Sequence, residues 1–319
     1  MTQQPVTHNP KQVSAFAPAT VANVVCGFDV FGFAVDNPGD VVTARWTDKP
    51  GVTIAKIDGD NGLLPLDSEK NTAGVAARQL LSSLKIEQGV EIELQKNLPL
   101  GSGMGSSAAS AVAALVAVNA LVGSPYSKND LVGFALESER VACGSAHADN
   151  IAPSLLGGFV LIRSYNPLDI ISIPYPQNLC CVLVHPDIEL KTKDARQLLK
   201  PTVALRDAVQ QWGNTAGLVA GLMKNDEELI GRSMHDMVAE PARALLIPGY
   251  DAVKAAAKSV GAIGVGISGS GPTMFALCIN KKLAEQAGLA MTEAFKKAGL
   301  TSQTYVSMLN NEGARVING

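Results

Sequence analysis

The segment GSGMGSS at residues 101–107 directly precedes an alanine-rich stretch of helical composition. A helix N-terminus exposes unpaired backbone N–H groups and the positive end of the helix dipole, and glycine lets the backbone approach a bound anion closely. The segment therefore predicts a phosphate cradle. It has no lysine, so it is not a Walker A loop, which ends in Gly-Lys-Ser/Thr. Taken alone, it also fits a tight Gly/Ser turn with a helix N-cap and no ligand.

Dinucleotide binding is disfavoured at both glycine patterns of the chain. Within residues 101–107 the third glycine of a Rossmann fingerprint falls at Ser106, and no acidic residue follows at the expected distance. The segment GVGISG at residues 264–269 satisfies the pattern by letter, but it leads into the apolar run TMFALCI, which is typical of a strand. Neither segment predicts a Rossmann site.

Two further segments accompany the glycine loop in a fixed order. APATVANVVCGFDVFGFAVD (17–36) places Asn23 and Asp29 in a loop, and GISGSGPTMFAL (266–277) supplies a second glycine turn. With residues 99–110, this ordered set resembles the signature motifs of the GHMP kinase superfamily, named for galactokinase, homoserine kinase, mevalonate kinase and phosphomevalonate kinase. The resemblance implies an α+β, two-domain GHMP kinase fold with the active-site cleft between the domains, in which the loop wraps the ATP phosphates.

Finer matches indicate one branch of that superfamily. Residues 137–159, 192–196, 239–250 and 311–319 resemble the homoserine-phosphorylating members, and the similarity runs from about residue 13 to the C-terminus. The resemblance implies ATP-dependent phosphorylation of the side-chain hydroxyl of L-homoserine to O-phospho-L-homoserine, a step in threonine biosynthesis. The substrate is then a small molecule, and the members that the chain resembles are often homodimers.

The resemblance assigns ATP and Mg²⁺ mainly to the first half of the chain. Ser107 and Glu139 match the Mg²⁺ ligands, in keeping with the few hard oxygen ligands that Mg²⁺ takes from a protein. Each of these assignments has a structural alternative. Ser107 can simply belong to the first turn of a helix, and Glu139 can face solvent on its helix. For Asn71, matched to the adenine contact, the alternative is a helix N-cap. The implied ATP-binding set, from the adenine contact at Asn71 to the phosphate loop, is Asn71, Pro99, Gly101, Ser102, Gly103, Met104, Gly105, Ser106 and Ser107.

The acceptor site must hold a carboxylate and an ammonium group and leave a hydroxyl free to react. Arg196 and Arg243 match the carboxylate-binding arginines, and a planar guanidinium suits bidentate bonds. A solvated or ion-paired surface position is the alternative for an arginine on an amphipathic helix. The turn at residues 269–271 either packs under the phosphate loop or shapes the acceptor pocket. The implied substrate-binding set is Asn23, Asp29, His147, Thr192, Arg196 and Arg243, of which the histidine is otherwise an ordinary loop residue.

The resemblance also bears on the mechanism. Mevalonate-type members place an aspartate eleven positions after the magnesium glutamate, and here that position is Asn150. An amide cannot take up a proton near neutral pH, and the adjacent Asp149 is not assigned as a base because neighbouring side chains generally point elsewhere. We therefore expect direct in-line transfer without a dedicated base, with Asn23, Asp29 and Asn150 at the reacting groups.

The elements that must position these residues alternate along the chain without a strict repeat, which favours an α+β architecture. The length of 319 residues fits two domains, predicted as 1–164 for the ATP-binding half and 165–319 for the C-terminal half. Helices are predicted at residues 71–84, 127–142, 195–199, 203–223, 227–239, 251–260 and 281–298, with one starting after the glycine loop. Strands are predicted at residues 40–46, 51–57, 89–99, 157–164, 169–176, 179–186 and 303–309, with two more around the second glycine turn.

Composition narrows the class of protein. The net charge of −3 offers no excess of Lys and Arg for a nucleic acid backbone. The longest apolar stretch, residues 108–122, is shorter than the ~20 residues of a membrane span, so no membrane segment is predicted. The five cysteines are odd in number and lack C-x-x-C spacing, and the N-terminus lacks the features of a signal peptide, which together predict a cytoplasmic location.

Three rival interpretations stay open at this point. Another GHMP small-molecule kinase, of the mevalonate, shikimate or isoprenoid-precursor type, takes an acceptor without an ammonium group, so an aspartate placed for one would be out of place. A non-catalytic sensor that binds ATP and a metabolite would not need both magnesium ligands. A different fold, in which the glycine turns serve only packing, is the third.

Overall fold

The computed structural model of the chain describes residues 10–144, 146–190 and 192–319. Its strands are β1 (Gln12–Ala22), β2 (Phe31–Thr47), β3 (Val52–Asp58), β4 (Gly89–Gln95), β5 (Phe159–Tyr165), β6 (Leu168–Ile173), β7 (Cys180–Pro186), β8 (Gly264–Ile267), β9 (Met274–Cys278), β10 (Ser302–Met308) and β11 (Arg315–Asn318). Its helices are α1 (Thr72–Ser83), α2 (Ser106–Leu121), α3 (Lys128–Cys143), α4 (Ala148–Leu156), α5 (Thr192–Gln197), α6 (Leu205–Lys224), α7 (Glu227–Ser233), α8 (Glu240–Arg243), α9 (Tyr250–Ser259) and α10 (Lys281–Lys297).

The strands form two mixed-order sheets, which confirms the predicted α+β class. The larger sheet runs β11-β1-β2-β4-β3, with β5 paired to the start of β2 and β6 paired to β5. The smaller sheet runs β10-β7-β9-β8 and is antiparallel at each pairing. Within the described residues, no helix is both long enough and apolar enough to cross a bilayer.

The chain changes sheet later than the predicted domain boundary. Residue 164 lies inside β5, and β6 still pairs with β5 in the larger sheet, so the change falls between Ile173 and Cys180. The last strand, β11, then returns to pair with β1. The division into two domains stays a prediction, and the chain crosses between the two sheets twice.

Helix α2 forms the centre of the larger core. It packs against β1, β2, α1 and α3, and most of its alanine and valine side chains are fully buried. Small side chains allow these elements to approach the helix closely on every side. Because the helix is buried on all sides, it is apolar all round. The first turn of α2 is therefore held in place by packing on all sides of the helix.

Local signals set the other helix ends near the site. The Asn71 side chain caps α1 by accepting from the N–H of Ala73, and Ser127 caps α3 through a reciprocal capping box with Asp130. The Ser127 cap was predicted from the sequence and is confirmed.

The single helix predicted over residues 227–239 is wrong. Helix α7 ends at Ser233, and the Asp236 carboxylate accepts from the backbone N–H groups of Val238, Ala239 and Glu240, which starts α8 instead. The aspartate competes with helix continuation, because its carboxylate satisfies N–H groups that a continuous helix would bond to carbonyls. The elements β1, α4 and β11 were not predicted.

Candidate active site

A cleft of about 620 Å³ is lined by residues from both predicted halves of the chain. Its volume lies within the range typical of small-molecule sites. Most residues predicted to bind or react line it, namely Asn23, Asp29, Gly101, Ser102, Gly103, Gly105, Ser106, Ser107, Glu139, His147, Asn150, Thr192, Arg196 and Arg243. The structure therefore brings the phosphate loop, the magnesium candidates and the acceptor candidates into one space.

The phosphate loop has a backbone shape that requires glycine. Gly103 has φ +79°, and a Cβ there would lie 2.4 Å from the carbonyl oxygen of Ser268. Gly105 has φ +70°, and a Cβ there would lie 2.2 Å from Oγ1 of Thr20. Gly105 is also the N-cap of α2 and provides no side-chain cap, and the N-terminus of a helix attracts an anion.

The second glycine turn packs against this loop. The Ser268 hydroxyl donates to the carbonyl of Gly103 (2.9 Å), and the Thr273 N–H donates to the carbonyl of Ser102 (3.2 Å). A Cβ at Gly269 would lie 2.8 Å from the Gly103 oxygen. The packing role predicted for residues 269–271 is confirmed, and Ser270 also lines the cleft.

A lysine lies behind the loop, although none lies in it. The Lys96 side chain is 1% exposed and pairs with Asp40, which is itself fully buried. Its Nζ donates to the carbonyl oxygen of Ser106 (2.9 Å), to the Ser106 hydroxyl (2.7 Å) and to the Ser110 hydroxyl (2.8 Å). The first turn of α2 is thus fastened to a buried ion pair, which fixes the direction of its N–H groups.

The predicted magnesium ligands are in contact. The Ser107 hydroxyl donates to Oε1 of Glu139, and Glu139 is 8% exposed. Burial raises the pKa of this carboxyl to about 7, against the lowering effects of the Ser107 hydrogen bond and the nearby Lys96 charge. The described residues contain no group of three or more His, Cys, Asp or Glu that would hold a metal. One carboxylate and one hydroxyl, both hard oxygens, fit Mg²⁺ coordinated mainly by water and phosphate.

The predicted acceptor residues form an electrostatic network in the same cleft. One terminal nitrogen of Arg196 donates to both oxygens of Asp29, at 2.7 and 2.6 Å. Nδ1 of His147 lies 3.5 Å from that nitrogen and 3.8 Å from Asp29. Arg243 is 4% exposed and donates to the carbonyl of Gly269 (2.9 Å). The surface-arginine alternative is therefore wrong for Arg243.

Phe28 links the two arginines, a contact that the sequence analysis missed. The guanidinium carbon of Arg196 lies 5.5 Å from the centre of its ring and that of Arg243 lies 5.2 Å from it. An aromatic face attracts a guanidinium at such distances. The ring thereby holds both cations at one end of the cleft despite their mutual repulsion.

Two asparagines are oriented by hydrogen bonds. Asn23, in the left-handed region at φ +68°, accepts from the N–H of Asp29 (3.0 Å) and donates to the carbonyl of Gly269 (2.8 Å). Oδ1 of Asn150 accepts from the hydroxyl of Thr20 (2.8 Å), and Asn150 lines the cleft. Thr20 is fully buried, and its N–H also donates to the carbonyl of Met104.

Thr20→Val removes this orienting hydroxyl at constant shape. We expect kcat/KM to fall about 5- to 10-fold, the usual worth of one neutral hydrogen bond, because the Asn150 amide is then free to rotate. Steady-state kinetics give the measurement. Thr43→Val is the matched control, since the Thr43 hydroxyl is bonded to Ser14 outside the cleft. Equal activity of the two variants would show that Thr20 does not orient Asn150.

Three residues of the predicted ATP set do not line the cleft. The Asn71 side chain is occupied at both ends, since it caps α1 and donates to the carbonyl of Pro65 (3.1 Å). Met104 is fully buried, and its side chain belongs to the core. Pro99 lies just before the loop and outside the lining. The contact of Asn71 with adenine stays a prediction, next to an observed capping role.

Comparisons with known proteins agree with the geometry. Residues 71–158 match the family described as GHMP kinases N terminal domain, and residues 218–297 match the one described as GHMP kinases C terminal. The chain is 53% identical to a homoserine kinase of Chloroherpeton thalassium, over 96% of this chain and 100% of that protein. It also resembles the crystal structure of homoserine kinase from Cytophaga hutchinsonii, with a TM-score of 0.95 and 55% identity over 99% of this chain and 100% of that chain. The L. major mevalonate kinase structure shares the fold at 16% identity and a TM-score of 0.70, over 97% of this chain and 99% of that chain.

Proposed function

The chain belongs to the GHMP kinase family, among its homoserine kinases, and from this premise we propose that it transfers the γ-phosphoryl group of ATP to the side-chain hydroxyl of L-homoserine. The product is O-phospho-L-homoserine, an intermediate of threonine biosynthesis. One observation carries the proposal: the glycine loop and the Arg196–Arg243 pair face the same cleft. The loop suits phosphate, and the arginines suit the carboxylate of an amino acid.

The loop and α2 bind and orient the phosphates. The N–H groups at the start of α2 and the positive end of its dipole stabilise negative charge on the transferred group. Ser107 and Glu139 would hold Mg²⁺, which when bound neutralises phosphate charge. Lys96 contacts the first turn of α2 from behind and keeps these N–H groups aimed at the cleft.

The acceptor residues hold the hydroxyl in line with the phosphoryl group. A bond forms between the acceptor oxygen and the γ-phosphorus, the bond from that phosphorus to ADP breaks, and the hydroxyl proton passes late to water or to a phosphate oxygen. A loose transition state of this kind needs positioning and charge stabilisation more than a strong base. Asn150 carries an amide where a carboxylate base would be needed, which supports a base-free mechanism.

Asn150→Ala therefore should reduce activity only modestly. We expect kcat for homoserine to fall about 10-fold, the effect of losing one hydrogen-bond donor at the reacting groups. The double variant Thr20→Val/Asn150→Ala should be no worse than Asn150→Ala, because Thr20 acts through the Asn150 amide. Abolished turnover at unchanged KM would contradict base-free transfer.

A substrate panel tests the proposed function. Coupled detection of ADP with L-homoserine, L-serine, L-threonine, mevalonate and shikimate compares acceptors that differ in charge and hydroxyl position. We expect the highest kcat/KM for L-homoserine. Transfer of label from γ-labelled ATP to the acceptor distinguishes a kinase from a sensor that only binds ATP. A preference for mevalonate would move the chain to the rival group of GHMP kinases.

Two finer statements are part of the proposal. We propose a cytoplasmic location, on the cysteine pattern and the composition of the N-terminus, and a homodimer, as the family resemblance implies. Sedimentation analysis measures the assembly, and a mass of one chain would contradict the dimer.

A further inference from the structure

Helix α6 carries two polar side chains on its buried face. Gln211 and Thr215 lie one turn apart, in line with Leu218 and Leu222, which are fully buried. Both polar residues are partly buried, and neither lines the cleft. The mechanism above uses neither of them, so their place in line with apolar residues calls for an explanation.

Both side chains contact a single backbone carbonyl, that of Cys26. Nε2 of Gln211 donates to its oxygen at 2.7 Å, and the Thr215 hydroxyl lies 2.7 Å from the same atom. The Thr215 hydroxyl also lies 2.9 Å from the carbonyl oxygen of Gln211, so it has one proton for two acceptors. The Gln211 amide is therefore the more specific partner of Cys26.

The Cys26 carbonyl follows a turn of unusual backbone conformation. Asn23, Val24 and Val25 have φ values of +68°, +41° and +62°, three left-handed residues in succession without a glycine. Positive φ is uncommon for any residue with a Cβ and is an outlier for β-branched valine, so it persists only where the surrounding structure imposes it. The turn opens residues 23–29, here called the acceptor loop, which presents Asn23 and Asp29 to the cleft.

Packing and hydrogen bonds hold the start of the acceptor loop. Val25 is buried, and a Cβ at Gly266 would lie 2.5 Å from Cγ2 of Val25, so the glycine leaves the space that the valine fills. The Asn23 amide donates to the carbonyl of Gly269, which also accepts from Arg243. The start of the loop is thus bonded to the same carbonyl as a predicted carboxylate-binding arginine.

Gln211 connects the loop to that arginine by a second route. Its Oε1 accepts from the N–H of Met237 (2.8 Å), and Met237 lies in the segment 234–239 between α7 and α8. Helix α8 follows directly and ends at Arg243. The two ends of the Gln211 amide therefore bridge the Cys26 carbonyl and the segment that leads into Arg243. The donor and the acceptor at these two ends also fix the orientation of the amide.

We propose that Gln211 is a positioning residue, which sets the acceptor loop against α8 so that Asn23 and Arg243 hold the acceptor at a fixed spacing. The inference rests on the proposed function, because the acceptor is that of the proposed reaction. Both hydrogen bonds of the Gln211 amide go to segments next to acceptor residues, and neither goes to the phosphate loop. Loss of the bridge should therefore affect the acceptor and spare the nucleotide.

Gln211→Met removes both hydrogen bonds at nearly constant size. We expect kcat/KM for homoserine to fall about 10- to 100-fold, because a loop that shifts no longer holds the hydroxyl in line with the phosphoryl group. The dissociation constant of ADP, measured by calorimetric titration, should stay within about twofold of wild type, since the phosphate loop is a separate site. Gln211→Glu keeps the acceptor for Met237 and loses the donor to Cys26, so it should show most of the same loss.

Thr215 provides a smaller change at the same carbonyl. Thr215→Val removes the hydroxyl near Cys26 at constant shape and should lower kcat/KM about 3- to 10-fold, close to the worth of one neutral hydrogen bond. Thr215→Ser keeps the hydroxyl and should restore wild-type activity. Recovery with serine would identify the hydrogen bond, and not the packing of the side chain, as the cause.

Matched controls separate positioning from stability. The Asn119 amide also bridges two backbone groups, since it donates to the carbonyl of Tyr126 (2.9 Å) and accepts from its N–H (3.2 Å), outside the cleft lining. Asn119→Leu should lower the melting temperature and leave kcat/KM unchanged. Gln210→Met makes the Gln211 substitution at the adjacent exposed position and should change neither quantity.

Hydrogen exchange measures the acceptor loop without turnover. The N–H groups of Cys26, Gly27 and Asp29 all donate within the loop. In Gln211→Met we expect these amides to exchange faster than in wild type, because the loop opens more often. In Asn119→Leu they should exchange at the wild-type rate.

Each outcome decides one of the two claims. A loss confined to homoserine, with faster exchange in the acceptor loop, supports the inference. Wild-type kcat/KM in both Gln211→Met and Gln211→Glu overturns it. An equal loss in Asn119→Leu, or an equal weakening of ADP binding, also overturns it, because the role would then be one of stability alone. Wild-type protein that does not phosphorylate homoserine would overturn the proposed function, and the exchange measurement would still decide whether Gln211 fixes the loop.

Discussion

Glu139→Gln is expected to lower kcat about 100- to 1,000-fold, comparable to the loss of one group that stabilises transition-state charge. The amide keeps the size of the side chain and can still accept from the Ser107 hydroxyl. It removes the negative charge that would hold Mg²⁺ beside the phosphates. Steady-state kinetics over a range of Mg²⁺ concentrations measure the effect, and the apparent Mg²⁺ requirement should rise.

The control for this variant lies on the same helix. Glu137 is half-exposed and paired with Arg140, so Glu137→Gln should leave kcat unchanged. Glu139→Gln should not lower the melting temperature of the free protein, because it removes a charge that is costly to bury. Normal kcat and Mg²⁺ dependence in Glu139→Gln would exclude Glu139 as a metal ligand.

Arg196→Ala is expected to raise KM for homoserine about 100-fold with a much smaller fall in kcat, as expected for truncation of a hydrogen-bonded charge pair. The change removes the predicted carboxylate contact and also leaves Asp29 without its partner. Arg196→Lys should recover only part of the loss, since an ammonium group lacks the planar fork. The measurement is kcat and KM for homoserine at saturating ATP.

An exposed arginine provides the comparison. Arg206 on α6 is 90% exposed and contacts its neighbour Asp207, so Arg206→Ala should leave both constants unchanged. A fall in kcat at constant KM in Arg196→Ala would mean that the guanidinium acts on the phosphoryl group and not on the acceptor carboxylate.

The parts of the site that the residues alone indicate, apart from the family resemblance, are those whose signals are local. Alternating glycines next to a helix-forming run predict the phosphate loop. Glycine is required at Gly103 and Gly105 because φ is positive at both positions. The Ser127 cap follows from one residue type at one position. Such features depend on the backbone within a few residues, which the sequence displays directly.

The missed residues depend on contacts between distant segments. Lys96 meets Asp40 across 56 positions, and Thr20 meets Asn150 across 130. A lone lysine at the end of a strand of alternating apolar and polar residues is usually solvated. Its burial here is explained only by the buried carboxylate of Asp40, which requires a cationic partner. From the sequence, Asp149 is not predicted to act beside Asn150, because neighbouring side chains on an extended chain point in different directions. In the helical turn that follows His147, Asp149 and Asn150 both line the cleft.

The contacts that join the phosphate loop to the second glycine turn also join the two sheets. Ser268 bonds to Gly103, Thr273 bonds to Ser102, and Asn23 bonds to Gly269, so the boundary between the two halves of the chain passes through the active-site cleft. A kinase built this way cannot retain residual chemistry in an isolated half. Chimaeras that exchange one half between relatives are expected to be active only where the contacting residues on both sides of this boundary are exchanged together.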